Sequence, residues 1–269
     1  IGQLIVDQCL RSPFEMSDTD AQRLLDCLAT ASTAFVLPPW TNSTRPEVDQ
    51  EAMSLAQQKE QQLLNMAVVK AARQLGDAAR RAVQGTNKLS LFTVWMELEI
   101  LSTSVDVAAY GVELGSVVIP RGIIKSEGVS TRRLADDCVG NVHLLRLSWS
   151  MDPFAWNNKG PVVIVPTSYY ATQLLEVFVC NDRIDAKNAS FKDLGVWLPL
   201  EQPLDRFEPD QHVLQRECTG WDADIEEWTT TGCREERFIS NFSHVRCLCD
   251  RLTFLALSLE RAPCDYCFT

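Results

Sequence analysis

A cluster of cysteine and tryptophan residues near the C-terminus constrains this chain more than any other feature. The cluster comprises Cys218, Trp221, Trp228, Cys233, Cys247 and Cys249. Alternate residues of a β-strand point to one face, so a strand through Cys247 and Cys249 directs both sulfurs to the same side. Each sulfur can then bond to one of the two upstream cysteines, and the residues alone allow both pairings. Such bridges would fix the last strands, with the two tryptophans packed against them.

The cysteine count and the glycosylation sequons indicate an oxidising compartment. The chain has 10 cysteines, an even number, and Asn-x-Ser/Thr sequons at Asn42, Asn188 and Asn241. Together these features favour an extracytoplasmic protein. No apolar run approaches the roughly 18 residues of a membrane span, and residues 1–7 lack the basic and apolar regions of a signal peptide. We therefore expect the chain to be a processed or excised piece of an extracellular protein.

The other six cysteines are also expected to form disulfides. The predicted pairs are Cys9 with Cys27, Cys138 with Cys180, and Cys264 with Cys267 or with partners elsewhere. The pairs at 247–249 and 264–267 would also suit a zinc site of four thiolates. That alternative needs a reducing compartment, which the sequons argue against. The acidic stretch 222–227 lacks the spacing of an EF-hand, so we predict a solvated loop and no metal, with calcium binding left open.

Composition and motifs exclude several classes of function. The 269 residues carry a net charge of −11, which disfavours binding to nucleic acid or anionic lipid. A hydrophobic content of 46% indicates a globular chain with one large or two small domains. His143, His212 and His244 are scattered, and neither an HExxH motif nor a glycine-rich phosphate loop is present. We therefore do not predict an enzyme that acts on an external substrate.

Residues 1–87 are predicted to form a helical region. Ser17 is an N-cap candidate with an acid three residues later, and an apolar stripe at helical spacing follows until Pro38-Pro39. A second capping box at 44–47 opens a long helix that is expected to end near Gln84. Its apolar stripe comprises Leu64, Val68, Ala71, Leu75, Ala78 and Ala82. This stripe is expected to pack in the core.

After residue 87 the apolar period changes to that of β-strands. Alternation from Phe92 to Ile100 predicts one half-buried strand, with Glu97 and Glu99 on its other side. Further strands are predicted at 115–119, 142–149, 161–166, 174–180, 196–200, 245–249 and 254–259, with a hairpin turn at 157–160. Helices followed by strands indicate an α+β fold, with a helical subdomain at 1–87 and an antiparallel β-sandwich at 88–269.

The order of the C-terminal residues resembles a known motif. It reads Cys218-Thr-Gly-Trp221, Trp228, Gly232-Cys233 and Cys247-Leu-Cys249-Asp-Arg-Leu-Thr-Phe254. Residues 218–259 thus resemble the GPS motif of GAIN domains, which have a helical subdomain A and a β-sandwich subdomain B. Such domains lie just outside the membrane in adhesion G-protein-coupled receptors and polycystin-1-like proteins, and the tail up to Pro263 is closer to the latter. The resemblance implies the crossed disulfides Cys218–Cys247 and Cys233–Cys249.

The resemblance also implies a self-cleavage site, with one departure. In that family a hydroxyl attacks the preceding carbonyl after a histidine takes its proton, and water hydrolyses the resulting ester. Here Thr253 has the position of the nucleophile, Leu252 supplies the attacked carbonyl and Arg251 replaces the histidine. Arginine has no acceptor and stays protonated, so it cannot act as the base. We therefore predict an uncleaved chain; the alternative is an autoproteolytic domain that yields a non-covalent two-chain product.

The function implied by the resemblance is structural and mechanical. We expect an extracellular, juxtamembrane domain on the plasma or ciliary membrane that couples signals through its last strand. The expected partners are that strand itself, a following transmembrane region and a channel or receptor, with no cofactor and no nucleic acid. A secreted ligand-binding β-sandwich is the remaining alternative.

Overall fold

The computed structural model describes residues 17–32, 55–83, 87–121, 141–150, 152–154, 163–164, 172–179, 182–184, 193–199, 212–236, 240 and 244–263. Three predictions fall outside these ranges: the helix stop at Pro38-Pro39, the capping box at 44–47 and the hairpin turn at 157–160.

Helices occupy the N-terminal part of the described chain. They are α1 (Asp18–Ser32), α2 (Leu55–Ala82) and the short α3 (Val105–Ala108). The predicted N-cap is confirmed, because the Ser17 hydroxyl accepts the Asp20 N–H at 3.2 Å and donates to the Asp20 carboxylate at 2.7 Å. None of the described helices is long and apolar enough to cross a membrane.

Strands dominate the remainder of the described chain. They are β1 (Lys88–Phe92), β2 (Met96–Ser104), β3 (Val112–Leu114), β4 (Val117–Ile119), β5 (Asn141–Trp149), β6 (Val163–Ile164), β7 (Thr172–Val179), β8 (Asp182–Arg183), β9 (Leu194–Pro199), β10 (His212–Asp222), β11 (Glu227–Thr229), β12 (Cys233–Glu235), β13 (His244–Cys249) and β14 (Phe254–Pro263). The larger sheet has the order β1-β2-β5-β7-β14-β10-β11, with β6 on β14 and β8 on β7. The smaller sheet has the order β12-β13-β9-β4-β3. The pairings are antiparallel, as predicted.

Apolar cores lie on both faces of the larger sheet. Along β5, Leu145, Leu147 and Trp149 pack in one core with α1 and α2. Val142 and Leu144 belong to a second core, shared with the smaller sheet. The alternation arises because successive strand residues point to opposite faces. The helices, the larger sheet and the smaller sheet are therefore joined by two apolar cores. The division into subdomains at residues 87 and 88 stays a prediction.

The prediction of one strand from Phe92 to Ile100 is wrong. The chain turns between β1 and β2, and Phe92 and Val94 are 71% and 77% exposed. The Thr93 hydroxyl accepts the N–H groups of Trp95 and Met96, and its own N–H donates to the Met96 carbonyl at 2.8 Å. Thr93 thus closes a turn locally, which an alternating apolar pattern does not reveal.

Glu97 and Glu99 lie on the face of β2 that is turned away from the helices. The Arg146 guanidinium pairs with both carboxylates, and Lys88 Nζ lies 2.7 Å from Glu99. Burial, with repulsion from Glu99, raises the pKa of Glu97 despite Arg146. Burial would also raise the pKa of Glu99, but hydrogen bonds from Lys88 and Arg146 lower it. Gly115 (φ +55°) covers this cluster, and a Cβ there would lie 2.2 Å from a Glu99 carboxylate oxygen.

Apolar alternation did not predict β10, which lies between β14 and β11 in the larger sheet. Its sequence includes Gln215, Arg216 and Glu217, which hide the period-2 pattern. The strand forms because β14, distant in sequence, supplies a complete row of pairing partners along it. The short elements β3, β8, β11, β12 and α3 were also not predicted.

A buried carboxylate ties α2 to the larger sheet. Glu176 on β7 is buried, and one of its oxygens accepts from Arg73 Nε on α2 at 2.7 Å and pairs with Arg183 at 2.9 Å. Arg80 lies with its guanidinium 4.1 Å from the centre of the Phe178 ring. Two arginines of α2 therefore contact β7, one at Glu176 and one at Phe178, and together they fix the position of α2 on the sheet.

We predict that Glu176→Ala lowers the free energy of unfolding by about 1–3 kcal/mol. Breaking a fully buried ion pair costs more, but both arginines keep some exposure and can rehydrate. Urea unfolding measures the change. Arg23→Ala, which removes an exposed pair with Asp20, is the control and should cost less than about 0.5 kcal/mol. Equal effects of the two substitutions would contradict the role of Glu176 in joining α2 to the larger sheet.

Candidate functional site

The terminal strand β14 lies inside the larger sheet rather than at its edge. Its first residues pair with β7, from Phe254 opposite Leu174 to Ala256 opposite Thr172. On its other side it pairs with β10 from Leu255 to Pro263, and it also pairs with β6. Residues 254–258 are buried. Removing this strand would therefore break hydrogen bonds on two sides and expose apolar side chains to water.

Two disulfides link the strands that precede β14 in the chain. Cys218 on β10 bonds to Cys247 on β13, with a Cα–Cα distance of 5.6 Å. Cys233 on β12 bonds to Cys249 on β13, and these two residues lie opposite each other in the smaller sheet. This is the crossed pairing that the resemblance implied. The first bridge joins the two sheets, and the second closes the hairpin from β12 to β13.

An aromatic cluster covers the first residue of β14 on the helix side. Phe154 stacks on Trp221 with 3.8 Å between ring centres, and it meets Phe254 edge-on at 4.8 Å. Trp228 packs edge-on against both Trp221 and Phe154. The two tryptophans of the motif thus pack in a core as predicted, but the prediction that they pack against the disulfides is wrong. They lie on the helix-facing side of the larger sheet, whereas Cys218 faces the smaller sheet.

The turn before β14 is closed by contacts with the turn before β12. Asp250 N–H donates to the Gly232 carbonyl at 2.8 Å. Gly232 has a φ of +80°, and a Cβ there would lie 2.0 Å from the Asp250 carboxylate. This position therefore requires glycine for both conformation and space. Leu252 follows in the turn with its side chain buried in the core between the sheets.

The Thr253 hydroxyl contacts the backbone of β10. It donates to the Trp221 backbone carbonyl at 2.6 Å. A Cβ on Gly220 would lie 3.2 Å from the Thr253 methyl group, so the side chain is packed closely against β10. A carbonyl oxygen can orient a hydroxyl but does not take its proton. The Thr253 hydroxyl is thus oriented by the backbone of β10.

Arg251, in the position of the family histidine, forms an ion pair. Its Nη1 lies 3.3 Å from Asp222 and its Nε lies 3.6 Å from Asp250. The Asp224 N–H, which donates to Asp222 at 2.9 Å, lowers the pKa of Asp222 first, and Arg251 lowers it further. Asp222 is therefore ionised and a weak base at neutral pH. The acidic stretch 222–227 forms the turn between β10 and β11.

The histidines occupy other elements. His244 begins β13, five residues before Cys249, which corresponds to about 16 Å along a strand. His143 lies on β5 opposite Phe178, and burial lowers its pKa. For His212 only the backbone is described. None of these placements puts a described imidazole in the turn that contains Thr253.

One residue beside the motif carried no sequence signal. Asp152, just after β5, accepts the Phe154 N–H at 2.8 Å and the Trp228 indole N–H at 3.3 Å. The residue keeps some exposure, yet burial raises the pKa of its carboxyl to about 7. A single aspartate in a loop has no distinguishing spacing. Only the fold brings it to Trp228, which lies far along the chain.

The remaining predicted site residues lie mainly outside the described ranges. They are Asn42, Asn188, Asn241, Cys9, Cys138, Cys180, Cys264 and Cys267. Cys27 on α1 is disulfide-bonded. The predicted pairings of these cysteines and the three glycosylation sites stay predictions.

Comparison with known proteins agrees with the site. Residues 196–262 match the family model described as GPS, GAIN subdomain B. Residues 196–262 are thus similar to GAIN subdomain B with its GPS motif. The solved "Full extracellular region of zebrafish Gpr126/Adgrg6" is similar over 92% of this chain and 33% of that one, with 11% identity and a TM-score of 0.48. This chain therefore spans about a third of that structure. No curated protein sequence matches it significantly.

We predict that each disulfide contributes about 2–5 kcal/mol to stability. Cys218→Ala with Cys247→Ala opens the longer loop, since these cysteines are 29 residues apart and the other pair only 16. The loop-entropy model makes its loss larger by about 0.5 kcal/mol. Non-reducing urea unfolding of the two double variants measures both values. Unchanged unfolding midpoints would contradict a stapling role.

Proposed function

We propose that this chain is the extracellular GAIN domain of a membrane protein and that it keeps its last strand covalently attached. In this role the domain passes mechanical or ligand-induced signals through β14 toward a following transmembrane region, in contact with a channel or receptor partner. The plasma or ciliary membrane is the proposed location. The match of residues 196–262 to GAIN subdomain B supports this class of protein.

One observation carries the proposal that the chain is uncleaved. The Thr253 hydroxyl donates to the Trp221 carbonyl, while Arg251 is paired with Asp222. Cleavage would need a base to remove the hydroxyl proton as oxygen attacks the Leu252 carbonyl carbon. The peptide C–N bond would then break with protonation of the Thr253 nitrogen, and water would hydrolyse the ester. A protonated guanidinium cannot perform the first proton transfer.

The pairing of β14 supports a mechanical role. Nine residue pairs join β14 to β10, from His212 opposite Pro263 to Gly220 opposite Leu255. The Cys218–Cys247 bridge anchors β10 to the smaller sheet. A force on the C-terminal end of β14 would therefore act on a strand that is paired with β10, and β10 is covalently joined to the smaller sheet. An intact peptide bond before Thr253 would transmit the remaining load into that turn.

Two other functions remain alternatives. An autoproteolytic domain would leave β14 bound only by its hydrogen bonds and buried side chains. A secreted ligand-binding β-sandwich would lack a following membrane segment. The resemblance of the tail to polycystin-1-like proteins, rather than to adhesion receptors, also stays a proposal.

We predict that restoring a base induces cleavage. Arg251→His places an imidazole, which can accept a proton near neutral pH, at the family position. With a fluorescent protein fused after Thr269, a reducing denaturing gel should show one band for the wild type and a fraction split between Leu252 and Thr253 for Arg251→His.

The matched control is Arg251→His with Thr253→Ala, which removes the nucleophile and should stay intact. A wild-type chain split at Thr253 would refute the proposed function. An intact Arg251→His chain would show that the missing base is not the only obstacle to cleavage.

A further inference from the structure

Exposed large apolar side chains are concentrated on two elements of the described structure. Five of the eight that the described residues expose lie on α2 and at the turn between β1 and β2. These are Leu63 and Met66 on α2, with Phe92, Val94 and Trp95 at the turn. Single exposed apolar residues are ordinary, but their grouping marks a surface that contacts another molecule. We call residues 92–95 the tip.

The backbone of the tip is held in place by other parts of the chain. Gln22 Nε2 donates to the Phe92 carbonyl at 3.1 Å. Ser150 donates to two more carbonyls, with its hydroxyl to Val94 at 3.1 Å and with its N–H to Trp95 at 3.0 Å. These carbonyls therefore need no water, and a molecule that covers the tip leaves none of them unpaired. A rigid apolar projection also loses little conformational entropy on binding.

The exposed apolar residues of α2 lie between two lysines. Four exposed residues at spacings of four, three and four form a row along the helix, which we call the stripe: Lys59, Leu63, Met66 and Lys70. In all, α2 carries five basic and two acidic residues, although the whole chain has a net charge of −11. The stripe is therefore a local basic surface with an apolar centre.

The surface beside the tip has the opposite charge. The neighbouring helix α1 carries three acidic residues and one basic residue. Its Asp26 lies next to the tip, because Gln22 Nε2 donates both to the Asp26 carboxylate at 3.0 Å and to the Phe92 carbonyl at 3.1 Å. Asp26 is exposed. An apolar tip with an acidic side and an apolar stripe with basic ends are complementary in both polarity and charge.

The tip and the stripe lie at the same end of one molecule. Ser150 contacts the tip, and the carbonyl of Pro153, three residues later, accepts from the buried Asn65 amide on α2 at 3.0 Å. Three residues span at most about 11 Å. Asn65 lies in the same turn of α2 as Leu63 and Met66. Both surfaces are exposed in the single chain, so neither covers the other within it.

We propose that a second copy of this chain covers these surfaces, in a two-fold symmetric dimer in which the tip of each copy packs on the stripe of the other. The apolar side chains of the tip then cover those of the stripe, and the acidic side of the tip meets the two lysines. Two-fold symmetry makes each contact twice and leaves no tip or stripe free, so the assembly closes as a dimer. The inference goes beyond the proposed function and holds whether or not the chain is cleaved.

A membrane fits the tip less well than a second copy does. Ala256 of β14 lies opposite Thr172, which in turn lies opposite Trp149. Trp149 lies opposite Met96, the residue directly after the tip. The tip is therefore at the end of the sheet where β14 begins, and a membrane segment after β14 would lie beyond the other end. The acidic side of the tip also disfavours anionic headgroups.

Analytical ultracentrifugation of the full chain tests the dimer. The mass of the wild type should rise from that of the monomer toward twice that value between low micromolar and several hundred micromolar concentration. Val94→Lys brings a cation onto the basic stripe, and Leu63→Glu brings an acid against the acidic side of the tip. Each should raise the dissociation constant by about tenfold or more, because symmetry repeats each loss. Both side chains are exposed, so the urea unfolding midpoints should not change.

A mixture of the two variants tests whether the tip meets the stripe. In a homodimer of either variant both contacts are damaged. In the mixed dimer one contact is native, and the other sets the new lysine against the new glutamate. The mixture should therefore associate at least about threefold more tightly than either variant alone.

The matched control is Ile225→Lys, which places the same charge on an exposed apolar residue of the turn between β10 and β11 and should leave the dissociation constant unchanged. A wild type that stays monomeric over the whole range would overturn the dimer, whether or not it binds zwitterionic lipid vesicles through the tip. Equal effects of Ile225→Lys and Val94→Lys, a mixture no tighter than its components, or growth beyond twice the monomer mass would also overturn it. A reducing denaturing gel reports cleavage before Thr253 separately, so failure of the proposed function is distinguished from failure of the dimer.

Discussion

The placement of β14 between β7 and β10 is the constraint on which the rest of the structure depends. A central strand has no free edge, so its removal breaks main-chain pairing on both sides and opens two apolar cores. The Cys218–Cys247 bridge then prevents β10 from separating from the smaller sheet. The last strand is therefore a part of the fold rather than an appendage to it.

The same strand is coupled to the helical layer by polar contacts on its neighbours. Glu176 joins β7 to α2 through Arg73, and Asn65 joins α2 to residues 152–154, whose Phe154 packs on Phe254. These contacts are buried and specific in geometry, so they set where α2 lies in addition to contributing stability.

The sequence predicted those features whose signals are local or follow a recognisable order. The Ser17 cap, the antiparallel strands around Cys247 and the GPS motif depend on short spacings. By contrast, the turn at Thr93 interrupts an apolar alternation and contains neither glycine nor proline. The middle of the β10 sequence is polar, and this segment forms a strand because it pairs with β14. Asp152 and Arg146 acquire their significance from distant partners. Such partners cannot be read from spacing along the chain.

We propose that this domain stays one chain because Arg251 cannot act as a base. Intact-mass spectrometry of the secreted wild-type protein, deglycosylated, reduced and denatured, tests this point most directly. The account predicts a single species that contains both Leu252 and Thr253 in one polypeptide of about 30.2 kDa for these residues. A species that ends at Leu252, together with one that begins at Thr253, would contradict it.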